Sequence, residues 1–447
     1  MTVNGFPRGF RFGVATAAIQ IEGGTDARGV SIWDTFSRVP GAVERGETPD
    51  VACDHYHRWP EDLDLMADLG IQAYRFSISW PRVLPDGSGK PSRPGLDFYR
   101  RLLEGMRERS IEPMATLYHW DLPQALEDAG GWPERDTVAR FEEYARLVFE
   151  ELGDLVSSWV TINEPWVVAF LGHGFGTKAP GRRDWNDALR ASHHVLLAHG
   201  VAVRALRELQ PGTPVGITLD QWPSLPASSS EQDAAAARRW DGFKNRWFLD
   251  PVFRSAYPED MVEWFESRVG AFDAVQGADL ESISQPIDFL GINYYSRSTI
   301  RADESVPPLE LREVPPPHPT TEMGWEVVPG ALYEHLLRIK REYGDLPISI
   351  TENGSAYADP VPTNGLVEDP ERLEYLRSHL EAVRRAASEG VDVRSYFAWS
   401  LLDNFEWENG YDMRFGIVYV DFETQRRIPK RSALWYRDFI AEHARTQ

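Results

Sequence analysis

Val160-Thr161-Ile162-Asn163-Glu164-Pro165 is a short β-branched run that ends on a carboxylate, and Ile348-Ser349-Ile350-Thr351-Glu352-Asn353-Gly354 has the same form. β-Branched residues favour strands, and a Glu at the end of such a run stands at the rim of a sheet. Outward from these two, six more strand-type runs appear: Phe10 to Ala15, Ala73 to Ile78, Pro113 to Tyr118, Val215 to Leu219, Ile287 to Asn293 and Arg394 to Ser400. With Ser158 to Asn163 and Pro347 to Thr351 they make eight. Amphipathic segments lie between them, including Asp97–Arg109, Val138–Leu152, Ala188–Leu209 and Glu371–Glu389. Their apolar residues recur at helical spacing, as Phe141, Ala145, Val148 and Phe149 do. Eight alternations of strand and helix predict a (β/α)8 barrel, a TIM barrel with extended βα loops. An open doubly wound sheet would advertise a glycine-rich turn, and the chain has no GxGxxG.

The 447 residues are expected to form one domain, 1–447, since α/β barrels exceed the usual length per domain. Two stretches read as loops: Pro223 to Ala237, rich in Ser and Ala, and the proline-rich Ala302 to Thr321. The second follows the sixth strand at its C-terminal end, where it can shape the mouth of a site.

The net charge of −22 argues against nucleic acid as a partner. Cys53 is the single cysteine, so no internal disulfide forms and a reducing compartment is expected. Met1 to Phe12 lacks the basic and apolar regions of a secretory signal, and no apolar run spans a bilayer. The expectation is a cytoplasmic protein away from membranes. Its 16 Trp, 16 Tyr and 21 Phe would suit the C–H faces of sugars as well as a large core.

Polar residues at the C-terminal ends of barrel strands are those placed for function. In order they are Gln20 and Glu22; Arg75; His119, Trp120 and Asp121; Asn163 and Glu164; Asn293 and Tyr295; Glu352 and Asn353; and Trp399, then Glu406 and Trp407. A single such Glu would read as a salt-bridged carboxylate. Two of them, after the fourth and seventh strands, form the pair that glycoside hydrolysis needs, one to protonate the leaving oxygen and one to attack. Their pKa values must differ, and Arg75 is placed to keep one ionised. His55, His57, His193, His194 and His199 show no metal spacing, so no metal and no cofactor is expected.

These residues resemble glycoside hydrolase family 1, the β-glucosidase family, over essentially the whole chain. The resemblance rests on Phe12–Ala17 with Gln20–Gly23, Tyr74–Arg82, Tyr118–Pro123, Thr161–Pro165, Gly291–Tyr295, Ile350–Gly354 and Trp399–Trp407. It implies a retaining β-glycosidase in which Glu164 is the acid/base and Glu352 the nucleophile, about 5–5.5 Å apart as retention requires. It further implies that Asn163 holds the sugar 2-hydroxyl, and that Gln20, His119, Trp120 and Glu406 hold the other hydroxyls. Trp399, with Trp407 beside it, looks like the ring platform. Tyr295 would touch the nucleophile, Trp325 would line the aglycone side, and Asn293 would belong to the substrate set.

The implied substrates are small β-glycosides and short oligosaccharides carrying a terminal non-reducing glucosyl, galactosyl or fucosyl residue. The thioglucosidase branch has Gln where this chain has Glu164. The 6-phospho branch carries Ser, Lys and Tyr in place of Glu406, Met413 and Phe415, so a sugar phosphate would here meet a carboxylate and no cation. Transglycosylation would use the same intermediate, while a non-catalytic sugar binder would be expected to lack one glutamate. Oligomeric state is left open by the sequence.

Overall fold

The computed structural model describes residues 2–3 and 6–444. Met1, Asn4 and Gly5 of the N-terminal stretch, and residues 445–447, lie outside the described residues. Eight parallel strands close into a barrel: β1 (Arg11–Ala15), β2 (Ala73–Ser77), β3 (Glu112–Tyr118), β4 (Ser158–Asn163), β5 (Val215–Asp220), β6 (Phe289–Asn293), β7 (Ile348–Asn353) and β8 (Val393–Trp399). Chain order is spatial order, and β8 pairs with β1 to complete the ring. These strands are buried almost throughout, since helices cover their outer faces. All eight expected strands are present with slightly different ends. β7 runs on to Asn353 because the ladder continues through Glu352 opposite Asn293 and Asn353 opposite Ala398.

Helices fill the outer layer and begin where capping chemistry starts them. Ser92 accepts from the Gly95 amide at the head of Arg93–Glu108, and Asp184 accepts from Asn186 and Asp187 at the head of Trp185–Leu209. His193, His194 and His199 on that helix are all buried.

The Pro223 to Ala237 stretch differs from its expectation. Ser224–Pro226 is a strand that pairs in parallel with Ser298–Ala302, and Ser230 caps a helix over Glu231–Asp241. Alanine is the strongest helix former and serine a preferred N-cap, so the composition that resembled a linker encodes a helix start. The Ala302–Thr321 stretch is largely loop, crossed by the short strand Leu311–Glu313. No helix among the described residues is long and apolar enough to cross a membrane.

Candidate active site

Two breaks in strand register shape the barrel mouth. β4 slips against β5 between Val160 and Asn163, and β7 slips against β6 between Ile350 and Glu352. A regular pleat sends residues two apart to the same face. Here Thr161 points outward, its Oγ1 2.7 Å from Nδ1 of His199, whereas Asn163 turns inward to Arg75. On β7 the neighbours Thr351 and Glu352 both face inward: Thr351 donates to Asn293, and Glu352 meets Arg75 and Tyr295. An extra residue in a ladder re-aims the side chains that follow it. Glu164, just past β4, has φ +49°, a left-handed conformation that costs on the order of 1 kcal/mol outside glycine. Its amide is tied to Thr218 O at 2.9 Å and its carboxyl to Asn293.

Arg75 joins both strand ends. Its Nη1 donates to Glu352 Oε1 at 2.5 Å and its Nη2 to Asn163 Oδ1 at 2.6 Å. The Tyr295 hydroxyl donates to Glu352 Oε2 at 2.6 Å. Asn293 Nδ2 donates to Glu164 Oε1 at 2.6 Å and to Asn163 Oδ1 at 3.1 Å. Because Asn163 Oδ1 accepts from Arg75, its Nδ2 is a donor, and His119 Nε2 at 3.1 Å accepts from it. His119 Nδ1 then carries the proton, buried and without a partner. Gln20 donates to Asn404, Phe405 O and Glu406 while its Oε1 is also buried and unpaired. A buried free donor and a buried free acceptor are what a hydroxylated ligand would satisfy.

Burial pushes the carboxyls here towards their protonated forms. Glu164 is raised well above its usual value, first by burial and then by the charges of Asp220 and Glu352. Glu352 is also raised by burial, but Arg75 and the Tyr295 hydroxyl pull it back towards its ionised form. The two are thus separated in the direction that acid and nucleophile require. Burial takes Glu406 up to about 8 against the opposing charge of Lys178. Burial, and then Arg75, hold His119 well below its usual range, hence neutral.

These groups surround a cavity of about 260 Å³. His119, Trp120, Glu164, Tyr295, Trp325, Glu352, Trp399, Glu406 and Trp407 line it. Gln20, Arg75, Asn163 and Asn293 do not: they are buried alongside and bonded to residues of the wall. Both ends of the Asn293 amide are taken by protein groups, and Trp120 donates its indole N–H to Asn163 O. Trp399 and Trp407 each stack near-parallel to His119.

Nine further wall residues escaped the sequence analysis; the charged ones are Lys178, Asp220, Lys244 and Glu408, and Trp166, Trp222, Val167, Leu171 and Met323 stand among them. Asp220 ends β5, and the strand-end rule extended by one residue would have found it. Lys244 sits in a π-helical turn, Gly242–Arg246, with no local signature of a site. Lys178 corrects the expectation that no cation stands near Glu406, since it lines the same cavity and bonds Glu408 at 2.5 Å. Among the described residues no cluster of His, Cys, Asp and Glu could hold a metal ion.

The family model described as Glycosyl hydrolase family 1 matches residues 2–445. This chain belongs to glycosyl hydrolase family 1. The family 1 hydrolase is 47% identical to beta-glucosidase A of Thermotoga maritima over 443 residues, covering 98% of each chain. It is also 47% identical to the bifunctional beta-D-glucosidase/beta-D-fucosidase of Bifidobacterium breve, covering 98% of this chain and 99% of that one. The crystal structure of the AHE enzyme from Alicyclobacillus herbarius superposes with a TM-score of 0.97 at 50% identity, covering 99% of both. The resemblance drawn from the strand-end motifs and the barrel both hold.

Proposed function

We propose that this family 1 hydrolase is a retaining β-glucosidase of small glycosides and short oligosaccharides, with Glu352 as nucleophile and Glu164 as acid/base. One observation carries the assignment: two buried carboxyls share a cavity and are furnished oppositely. Glu352 is held by a guanidinium and a phenol, Glu164 by a carboxamide beside an anion. Glu352 attacks the anomeric carbon as Glu164 gives its proton to the departing oxygen, and a glycosyl ester forms. Glu164, now a carboxylate, takes a proton from water. The water oxygen displaces Glu352 and the sugar leaves with its configuration retained.

Gln20, His119, Asn163 and Glu406 hold the sugar hydroxyls, and Trp120 contributes its ring to the same wall, its N–H being held by Asn163 O. Trp399 and Trp407 take the ring face, and Trp325 the leaving group. The unpaired Gln20 Oε1 and His119 Nδ1 support this placement. The Bifidobacterium relative supports fucosides as further substrates. The whole chain works as one catalytic domain in the cytoplasm, a compartment that suits the lone buried Cys53.

The test is hydrolysis of an aryl β-glucoside by Glu352→Gly and Glu164→Ala, with and without azide. Both variants are expected to be crippled and rescued by azide, giving α-glucosyl azide with the first and β-glucosyl azide with the second. Near wild-type turnover in both variants would sink the assignment.

A further inference from the structure

Asp220 and Lys244 form a buried ion pair in the wall of the cavity that Glu164 lines. The two come from different elements. Asp220 ends β5, two residues after Thr218, whose carbonyl holds the Glu164 amide and whose Oγ1 donates to Thr351 inside the barrel. Residues two apart on a strand share a face, so Asp220 stands one step up the same inner side. Its register partner is Asn293, the residue that donates to Glu164. Lys244 comes from the π-helical turn, an irregularity that often marks functional positions. Its Nζ bonds Asp220 Oδ2 and lies 3.3 Å from the centroid of the Trp166 ring. No hydrogen bond joins Lys244 to Glu164.

Resting on the reading of Glu164 as acid/base, we propose that Asp220 and Lys244 are a positioning pair for the Glu164 proton, the ammonium bonded to Asp220 and seated on the Trp166 ring. Glu164 faces Asn293 from β6, Glu352 from β7 with the Tyr295 hydroxyl beside it, Asp220 from β5 and Lys244 from the π-helical turn. Asp220 is the largest charge effect on Glu164, ahead of Glu352, while Lys244 opposes it weakly. Lys244 in turn faces Asp220, Glu164 and Glu313, the last from the Leu311–Glu313 strand. Burial pushes Asp220 up and Lys244 down, and each draws the other back towards its charged form. A lone carboxylate beside Glu164 would be too costly to keep ionised, and the cation on the ring is what makes it tenable.

The test compares the pH dependence of kcat/KM in wild type and Asp220→Asn for phenyl β-glucoside and 2,4-dinitrophenyl β-glucoside. The phenol needs a proton to leave; the dinitrophenolate does not. Removing the anion lets Glu164 ionise sooner, so the alkaline limb with the phenyl substrate is expected to move down by about one pH unit. Above the optimum that is a loss of about tenfold relative to the dinitrophenyl substrate. Lys244→Arg, which keeps the cation, is expected to shift the limb much less than Asp220→Asn. An unmoved limb in Asp220→Asn, or an equal loss on both substrates, overturns the proposal and leaves the pair structural. Failure of the underlying reading shows separately, as a Glu164→Ala variant that azide does not rescue.

Discussion

Arg75 donates to Glu352 at 2.5 Å, with side chains 1% and 3% exposed. So deep a pair is a strong constraint in both directions: each charge is costly alone and tolerable with the other. In Arg75→Met the Glu352 carboxyl keeps its burial and loses its counter-charge, and its pKa climbs further. The acidic limb of kcat/KM is expected to move to higher pH and kcat to fall by two or more orders of magnitude. Breaking such a pair typically costs about 3–5 kcal/mol of stability, to be read by denaturant unfolding alongside the pH profile.

Tyr295→Phe removes only the second support of Glu352. A hydrogen bond to a charged group is worth about 1.5–3 kcal/mol, which sets the expected loss in kcat at about 10- to 100-fold. The acidic limb moves the same way as in Arg75→Met, but less. The Tyr295 carbonyl still accepts from Tyr375, so the backbone stays anchored. Unchanged kcat with an unmoved limb would mean that the phenol does not support the carboxylate.

Asp121 gives a stability prediction with a definite sign. Burial, helped by the charge of Glu22, pushes it up to about 8, so the native chain holds a proton that the unfolded chain releases near pH 4. Its stabilising contribution is complete below about pH 4 and is lost as pH rises through about 8. Asp121→Asn carries no such loss. Its Tm relative to wild type is expected to improve steadily from pH 5 to pH 9, and calorimetry showing a constant difference would contradict this.

Trp325, which the proposed function assigns to the leaving-group side, has ring centroids 5.2 Å from Tyr295, 5.4 Å from Trp222 and 6.0 Å from Phe415. Aromatic contacts of this kind contribute about 0.5–1.5 kcal/mol, and here they act on substrate and transition state alike. Trp325→Ala is therefore expected to raise KM for aryl glucosides about three- to tenfold with kcat little changed. For methyl β-glucoside the change should be smaller.

The barrel was legible because its strands are apolar runs with regular helical partners, and the carboxylate pair because each Glu closes such a run. What stayed hidden depends on contacts between distant segments. Lys244 becomes part of the cavity only when the π-helical turn brings it to Asp220 and Trp166. The inward turn of Asn163 comes from a register slip against β5, a relation between strands that no periodicity within Val160–Glu164 reveals. The Glu231–Asp241 helix is masked in the sequence by its serine-rich approach, which has the composition of a linker although Ser230 is the helix cap.

The register slips in β4 and β7 also fix where this enzyme can change. One residue added or removed between Val160 and Glu164 would shift Asn163 and Glu164 along β5 and away from Arg75 and Asn293. Directed evolution should therefore tolerate length variation in the Ala302–Thr321 loop, where leaving-group preference can drift. It should admit almost none in either glutamate-bearing strand, so new specificities are more readily reached by remodelling the rim than the frame beneath it.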